Sequence, residues 1–488
     1  MRKIIALLLV ALTFCLLLAS CNDPDADTSK NEVSVNAEEE LFANLPNVNY
    51  GNEKFTIYVE GDYLDRYKSI EIMPNENAPS IISDSVLERN ALVEQRFGVI
   101  IEEIRTADTA EMVTNVQNEI ATGGKTYDAV MAYLPNAGSL AAGGALLDLT
   151  EFDELHLDKP YWDTTAVESL SVAGKNFFVV GDMNLLAYDC THCIVFNKDV
   201  VEEHNLENPY DLVYDGEWTM DKLLEMAKVV SVDNGDGKVD LDDKWGFLIN
   251  NNYATSLYFG AGETLTTKNA QDLPVLAVQG DRPASVFNKI FDICNSDKVA
   301  LLEDYVGTYD DVYTKATESV ASKNALFRSM AVVDIQELGN YECNFGIIPT
   351  PKYNEEQEDY YSYVSVIYAS CATIPVSAEN KEMSAVILDA MCQASTKTVK
   401  TSYYDTMLKY RKLQDDDGVA MLDIIFDNRV FDLAAVYNWG ATNIWDTNSI
   451  TTFMNTVAFS GTNTFASSYE AISGTVQGAI DEFLNGLE

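Results

Sequence analysis

Between Ser231 and Asp243 the chain reads SVDNGDGKVDLDD, a run of carboxylates and amides broken by glycines that suits a hard cation held by oxygen. With Gly237 as the sixth position of a calcium-binding loop, Asn234 stands at position three, Asp236 at five, apolar Val239 at eight, Asp240 at nine and Asp243 at twelve. Position one falls on Val232, which has no ligating atom, so Asp233 would have to serve after a shift of one residue. An aspartate at position twelve also reaches less well than a glutamate for bidentate binding. The run therefore allows a structural calcium on Asp233, Asn234, Asp236, Asp240 and Asp243, and it also reads as a solvated acidic turn. Cys190-Thr191-His192-Cys193 has the CxxC spacing of redox and zinc sites in a context that fits neither. It runs into an apolar strand rather than a helix N-terminus, and His156, His192 and His204 are the only histidines to complete a zinc site. Buried, unreactive thiols are the better reading. No G-x-S-x-G, H-E-x-x-H or Walker A pattern is present, and no cofactor is required. A hydrolytic carboxylate pair could still hide among 77 acidic residues, so motifs alone leave a surface carbohydrate hydrolase open.

The elements that would carry such residues alternate between strand and helix. Lys54 to Glu60 (KFTIYVE) is β-branched and aromatic, as a strand requires. From Asp84, DSVLERNALVEQRFGV places Val86, Leu87, Leu92, Val93 and Phe97 at helical spacing, with Asp84 as the expected N-cap and Gly98 as the stop. Ile100 to Ile104 reads as a strand, Ala110 to Ala121 as a helix ending at Gly123-Gly124, and Tyr127 to Ala132 as a strand apolar enough to be buried on both faces. This alternation predicts a parallel sheet covered by helices. Further on, Cys193 to Phe196, Gly246 to Asn250, Phe345 to Ile348 and Ser365 to Ile374 read as strands. Met220 to Val230, after Thr219, and Asn380 to Cys392 read as helices, and the last 90 or so residues as mainly helical.

The N-terminus carries a different signal. Arg2 and Lys3 precede an apolar run from Ile4 to Leu18 that is too short for a comfortable membrane span, and Leu18-Ala19-Ser20-Cys21 closes it. The pattern resembles the bacterial lipobox, in which the cysteine is acylated and becomes the mature N-terminus. Residues 1–20 would then be a signal peptide, Cys21 the lipidated residue, and the mature chain a lipid-anchored protein on the outer face of the bacterial cytoplasmic membrane. Residues 21–50, rich in Asp, Glu, Asn and Ser, read as a flexible stalk. Six cysteines remain beyond Cys21, namely Cys190, Cys193, Cys294, Cys343, Cys371 and Cys392. They are too sparse for a disulfide scaffold, although an exported chain has oxidising surroundings in which bridges can form. Acidic residues outnumber basic ones 77 to 32 for a formal net charge of -45, which excludes nucleic acid and bare anionic membrane as partners. Colloidal stability explains the excess.

Four phrases, taken in order, resemble family 1 extracellular solute-binding proteins, the lipid-anchored receptors of ABC importers for sugars and related solutes. They are SVLERNALVEQRFGV followed by YDAVMAYLPNAGSLAAGGALLDLTEF (85–99 and 127–152), CIVFNKDVVEEHNLENPYDLVYDGEWTMDKLLEMAK (193–228), NFGIIPTPKY (344–353) and SYYDTMLKYRKLQDDDGVAMLDIIF (402–426). The resemblance covers nearly the whole mature chain. It implies an α/β, two-lobe periplasmic-binding-protein fold with three hinge crossings and a mainly helical C-terminal region, lobe one holding residues 51–185 and 348–397 and lobe two 186–347 and 398–488. It further implies a solute, most plausibly an oligosaccharide, held between the lobes and handed to a transmembrane permease, without catalysis. A sensory or adhesion receptor on the same fold is the alternative.

A sugar cleft needs flat aromatic faces and polar groups for every buried hydroxyl. Tyr133 and Asn136 follow a strand of lobe one at the edge where α/β ligands sit. Asp182 and Asp189 lie in the hinge-like segment GDMNLLAYD, where they serve as hydroxyl acceptors or as hinge and helix-cap groups. In lobe two Asn252 and Tyr253 follow a strand, and Trp439 and Trp445 lie in the loop-like YNWGATNIW, as stacking platforms or core. Trp162, Trp218 and Trp245 read as packing residues.

Overall fold

The computed structural model describes residues 41–487 apart from 62–64, 76, 77, 107, 411–415, 442, 444, 445, 447 and 448. Cys21, the signal segment and Trp445 lie outside the described residues. Residues 41–46 belong to a separate N-terminal unit, of which the described part is a turn closed by Leu45 N donating to Phe42 O (3.0 Å). The unit that starts at Asn47 carries every strand among the described residues. In chain order these are β1 (Glu53–Val59), β2 (Val99–Arg105), β3 (Ala129–Tyr133), β4 (His192–Asn197), β5 (Trp245–Ile249), β6 (Thr266–Lys268), β7 (Pro274–Leu276), β8 (Val299–Leu301), β9 (Ala325–Ala331), β10 (Phe345–Ile348), β11 (Ser362–Tyr363), β12 (Ser370–Thr373) and β13 (Arg429–Val430).

Two main sheets result, ordered β12-β3-β1-β2 and β10-β4-β9-β5-β8. The parallel expectation holds for β1 with β2 and β3 and for β5 with β8 and β9. It fails for β12 on β3 and for β4 between β9 and β10, which pair antiparallel. These antiparallel strands flank the points where the chain passes from one sheet to the other. Such a strand follows no local βαβ unit, and the parallel rule does not bind it. The chain leaves the first sheet after β3, re-enters it at β12 after β10, and leaves once more through the C-terminal helices.

Local chemistry sets most element ends. The helix Ser80–Phe97 ends where Gly98 turns left-handed (φ 61°) and donates to Glu94 O, and the helix Thr109–Thr122 ends the same way at Gly123 (φ 72°). The first helix starts one turn before the expected Asp84. Pro79, with φ -54°, presets the entry, and no side chain caps it. Asp84 is exposed in the second turn, and Leu87 is also exposed, so the apolar stripe is narrower than the spacing suggests. Thr219 and Asn380 cap the helices Met220–Val230 and Lys381–Lys397 through their side chains. The strand expected over Ser365 to Ile374 shrinks to Ser370–Thr373, because residues 364–369 form part of a crossing and spend their polar groups elsewhere.

Buried ties hold the crossings. Glu71, fully buried, accepts from Leu186 N (3.0 Å), Ser69 Oγ (3.0 Å) and Ser370 Oγ (2.5 Å), so one carboxyl joins three segments. Asp389 likewise accepts from His156 N (3.0 Å), Tyr161 Oη (2.9 Å) and Trp162 Nε1 (2.9 Å), fastening the loop before the first crossing to the helix Lys381–Lys397. Arg429 of β13 pairs with Asp163 at 2.6 Å and lies over the Tyr188 ring, 4.1 Å from its centroid. The helix Lys381–Lys397 and the following Val399–Tyr410 both pack on Ser80–Phe97, whereas Asp416–Asp427 packs on β10.

Candidate functional site

Because β1 and β3 run parallel, their carboxyl ends open on one edge, and the first polar residue beyond each strand is set there. Glu60 follows β1 and is almost wholly buried, at 1% exposure. Its Oε2 accepts from Tyr133 N at 2.9 Å and its Oε1 from Asn136 Nδ2 at 2.7 Å; Asn136 also donates to Thr109 O at 3.0 Å. Tyr133 ends β3 and Asn136 sits in the first turn of the helix Leu134–Ala142, where Pro135 suits the missing donor of a helix start. Burial pushes the Glu60 carboxyl up to about 8, outweighing the two hydrogen bonds that pull it down.

The facing wall comes from segments far along the chain. The crossing between β11 and β12 supplies Ile367 and Tyr368, and the short helix Leu433–Tyr437 with its exit supplies Tyr437, Asn438, Ala441 and Asn443. Asp432 caps that helix at Ala434 N and Ala435 N, and it also accepts from Leu265 N and Thr266 N, which pins it to β6. The helix approaches Leu134–Ala142 at Gly138, where a Cβ would lie 2.8 Å from Val436 O, so only glycine permits the contact. Tyr368 stacks on Tyr67 (4.4 Å between centroids) and meets Tyr133 edge-on (5.6 Å). Together these residues enclose a cleft of about 420 Å³.

A second hollow adjoins the first and shares Ile367 and Asn438 with it, its other residues including His192, Asn252, Thr255, Thr451 and Asn455 beside the second sheet. His192 stacks on Tyr253 (5.3 Å) and its Nδ1 pairs with Ser256 Oγ. Burial pushes the imidazole down to about 4, so it is neutral at physiological pH. Thr255 Oγ1 donates to Thr451 O (3.1 Å), while the buried Oγ1 of Thr451 and the buried hydroxyl of Tyr437 have no partner among the described residues. Aromatic faces from one side and amide and hydroxyl groups from both thus converge on a space bounded by residues of both sheets.

Of the residues expected from the sequence, Tyr133 and Asn136 line the larger hollow and Asn252 the smaller. Tyr253 does not: fully buried, it packs between His192 and Phe247 and donates to Cys193 O at 2.8 Å. Asp182 is consumed by the crossing, accepting from Tyr188 Oη, Thr396 Oγ1 and Lys400 Nζ at 2.7 to 3.0 Å. Asp189 accepts from Tyr403 Oη at 2.7 Å and lines a separate hollow beside Arg66 and Glu337. Trp439 is buried between Tyr437 (5.0 Å) and Phe483 (6.1 Å), so it backs a cleft residue instead of lining the cleft. Glu60, Tyr368, Tyr437 and Asn438 were missed. For Glu60 a signal existed, a lone acid at the end of the apolar strand FTIYV on the same edge as Tyr133.

The acidic run forms a chain of local turns. Asp233, Asn234, Asp236 and Asp240 each accept from the backbone N–H two residues on, and Asp243 accepts from Asn234 N (2.9 Å) and Asp240 N (3.1 Å). Among the described residues no three His, Cys, Asp or Glu side chains converge to hold a metal ion. Cys190 and Cys193 are both buried, and burial holds the Cys190 thiol well above its usual range. Trp162, Trp218 and Trp245 direct their indole N–H groups to Asp389, Pro349 O and Asp240 O, as packing residues do.

Fold and cleft define a two-lobe α/β binding protein of the periplasmic type. The chain belongs to the family of bacterial extracellular solute-binding proteins, whose profile matches residues 101–370. No curated protein sequence matches the chain. Among solved structures it is similar to the ABC substrate-binding protein Lmo0181 from Listeria monocytogenes in complex with cycloalternan, with a TM-score of 0.55 and 13% identity over 87% of this chain and 99% of that one. The GacH receptor of Streptomyces glaucescens, solved with acarbose, gives a TM-score of 0.54 at 12% identity over 87% and 99%. UgpB from Mycobacterium tuberculosis in complex with glycerophosphocholine gives 0.54 at 14% over 88% and 99%. By family, then, the chain is a solute-binding protein.

Proposed function

We propose that the protein binds a carbohydrate, an oligosaccharide, in the cleft lined by Glu60, Tyr133, Asn136, Tyr368, Tyr437 and Asn438, and delivers it to a membrane permease. The observation that carries the reading is the cleft's lining, in which tyrosine faces stand beside a carboxyl and amides drawn from both sheets. An aromatic face covers the apolar side of a pyranose ring while the polar groups pair its hydroxyls. Lobes of 51–185 with 348–397 and of 186–347 with 398–488 would each carry one of the two main sheets, and the packing of Val399–Tyr410 on Ser80–Phe97 favours a last crossing beyond residue 410. A solute that touches both lobes only when they close favours closure by its differential affinity. Acylation at Cys21 would hold the receptor beside its permease on the outer face of the cytoplasmic membrane, raising its effective concentration there.

A thermal-shift screen of the purified chain against mono- and oligosaccharides tests the binding. A solute bound only by the native state raises Tm, and no shift with any saccharide overturns the reading. Cys21→Ala tests the anchor: the variant is expected in the soluble exported fraction, and its retention on the membrane refutes acylation there.

A further inference from the structure

We propose that the solute bears an amino sugar, and that Glu60 receives its ammonium group. The inference rests on the carbohydrate reading above and adds the charge of the ligand. Glu60 lines the cleft at the end of β1, yet both of its hydrogen bonds, to Tyr133 N and Asn136 Nδ2, come from neutral donors. A carboxylate has about four acceptor positions, so two remain for a ligand. The titratable groups that face it are Tyr133 from β3 and Cys371 from β12, each kept protonated by burial. His192 in the adjoining hollow is neutral, and among the described residues no lysine or arginine lines either hollow.

Among the described residues, therefore, the cleft holds a buried acid with no cation beside it. A solute hydroxyl can pair with that acid but cannot restore its charge. An ammonium can do both, as a charge-assisted hydrogen bond. The tyrosine faces of Tyr133, Tyr368 and Tyr437 attract a cation in the same space. At long range the -45 net charge of the chain draws cationic solutes and repels anionic ones. Phosphorylated or uronic solutes find no counter-charge in this lining.

Isothermal titration of the full exported chain with three oligomers of equal length separates the outcomes: a glucosamine oligomer, its N-acetylated counterpart and a neutral glucose oligomer. The glucosamine oligomer is expected to bind at least about tenfold tighter than the other two, the factor a charge-assisted hydrogen bond provides. Glu60→Gln should erase that preference, so that the glucosamine oligomer binds the variant no tighter than the neutral oligomer binds the same variant. A second readout needs no variant. At pH 6, with the sugar amine already protonated, binding should release about one proton to the buffer as Glu60 ionises, and the neutral oligomer should release none. Equal or tighter binding of the neutral oligomers, or a preference that survives Glu60→Gln, overturns this inference and leaves the carbohydrate reading standing. Binding of none of the three, with no shift in the wider screen, overturns both.

Discussion

Glu60→Gln in the unliganded protein should change how stability depends on pH. Burial raises the carboxyl from 4.5 to about 8 in the folded state, so Glu60 belongs to the groups whose folded value lies above the unfolded one. Its contribution to stability is then fully present below pH 4.5 and is lost as pH rises through about 8, because the folded state must give up a proton that it holds more tightly than the unfolded chain does. The interval spans about 3.5 pH units at about 1.4 kcal/mol each, which puts the full loss on the order of 4 to 5 kcal/mol. Glutamine keeps the side chain's size and cannot ionise. It disturbs one of the two hydrogen bonds from Tyr133 N and Asn136 Nδ2 at a pH-independent cost of about 1 kcal/mol. Urea denaturation of both proteins at pH 4.5 and pH 8.5 isolates the titration. Wild type should lose several kcal/mol more than the variant between the two pH values, and groups common to both, such as the similarly raised Glu71, cancel. A stability difference that stays constant across that range would refute the assignment of Glu60 as an uncompensated buried acid.

Asp389→Ala leaves the N–H of His156, the Tyr161 hydroxyl and the Trp162 indole without their acceptor in a buried site, and chemical denaturation should show a loss of about 3 to 5 kcal/mol. Trp439→Phe removes packing against Tyr437 and Phe483 and should lower stability by about 1 to 3 kcal/mol, with saccharide affinity within a few-fold of wild type; a large affinity loss at unchanged stability would place Trp439 in the cleft after all. Tyr368→Ala should weaken saccharide binding by about tenfold or more in a titration, together with a stability loss of about 0.5 to 1.5 kcal/mol from its stack on Tyr67, and saccharide affinity unchanged in the variant would take Tyr368 out of the binding surface.

The residues that follow β3 were legible because their placement depends on one local rule. A short apolar strand in a parallel sheet delivers its next polar residues to the carboxyl edge, and Tyr133 and Asn136 are there. Helix stops at Gly98 and Gly123 were legible for an equally local reason, the left-handed backbone that glycine adopts at no steric cost. Hinge and C-terminal residues were not. Asp182, Tyr253 and Trp439 have the chemistry of sugar ligands, but each finds its partner at a remote position, Lys400, Cys193 and Phe483, which no spacing reveals.

By itself the sequence determined the alternating α/β architecture and one polar edge of the cleft, since these follow from periodicity and from interactions within a few residues, and the resemblance of its phrases pointed to the family. The tertiary structure alone decided which polar groups are spent and which are left for a ligand. Glu60 and Asn136 meet across 76 residues, and Tyr437 joins them from the far C-terminal region by way of the close approach at Gly138. Whether a carboxyl is an ion-paired acceptor like Asp182 or a buried acid held protonated like Glu60 depends on what burial brings against it, and that is a property of the packed chain.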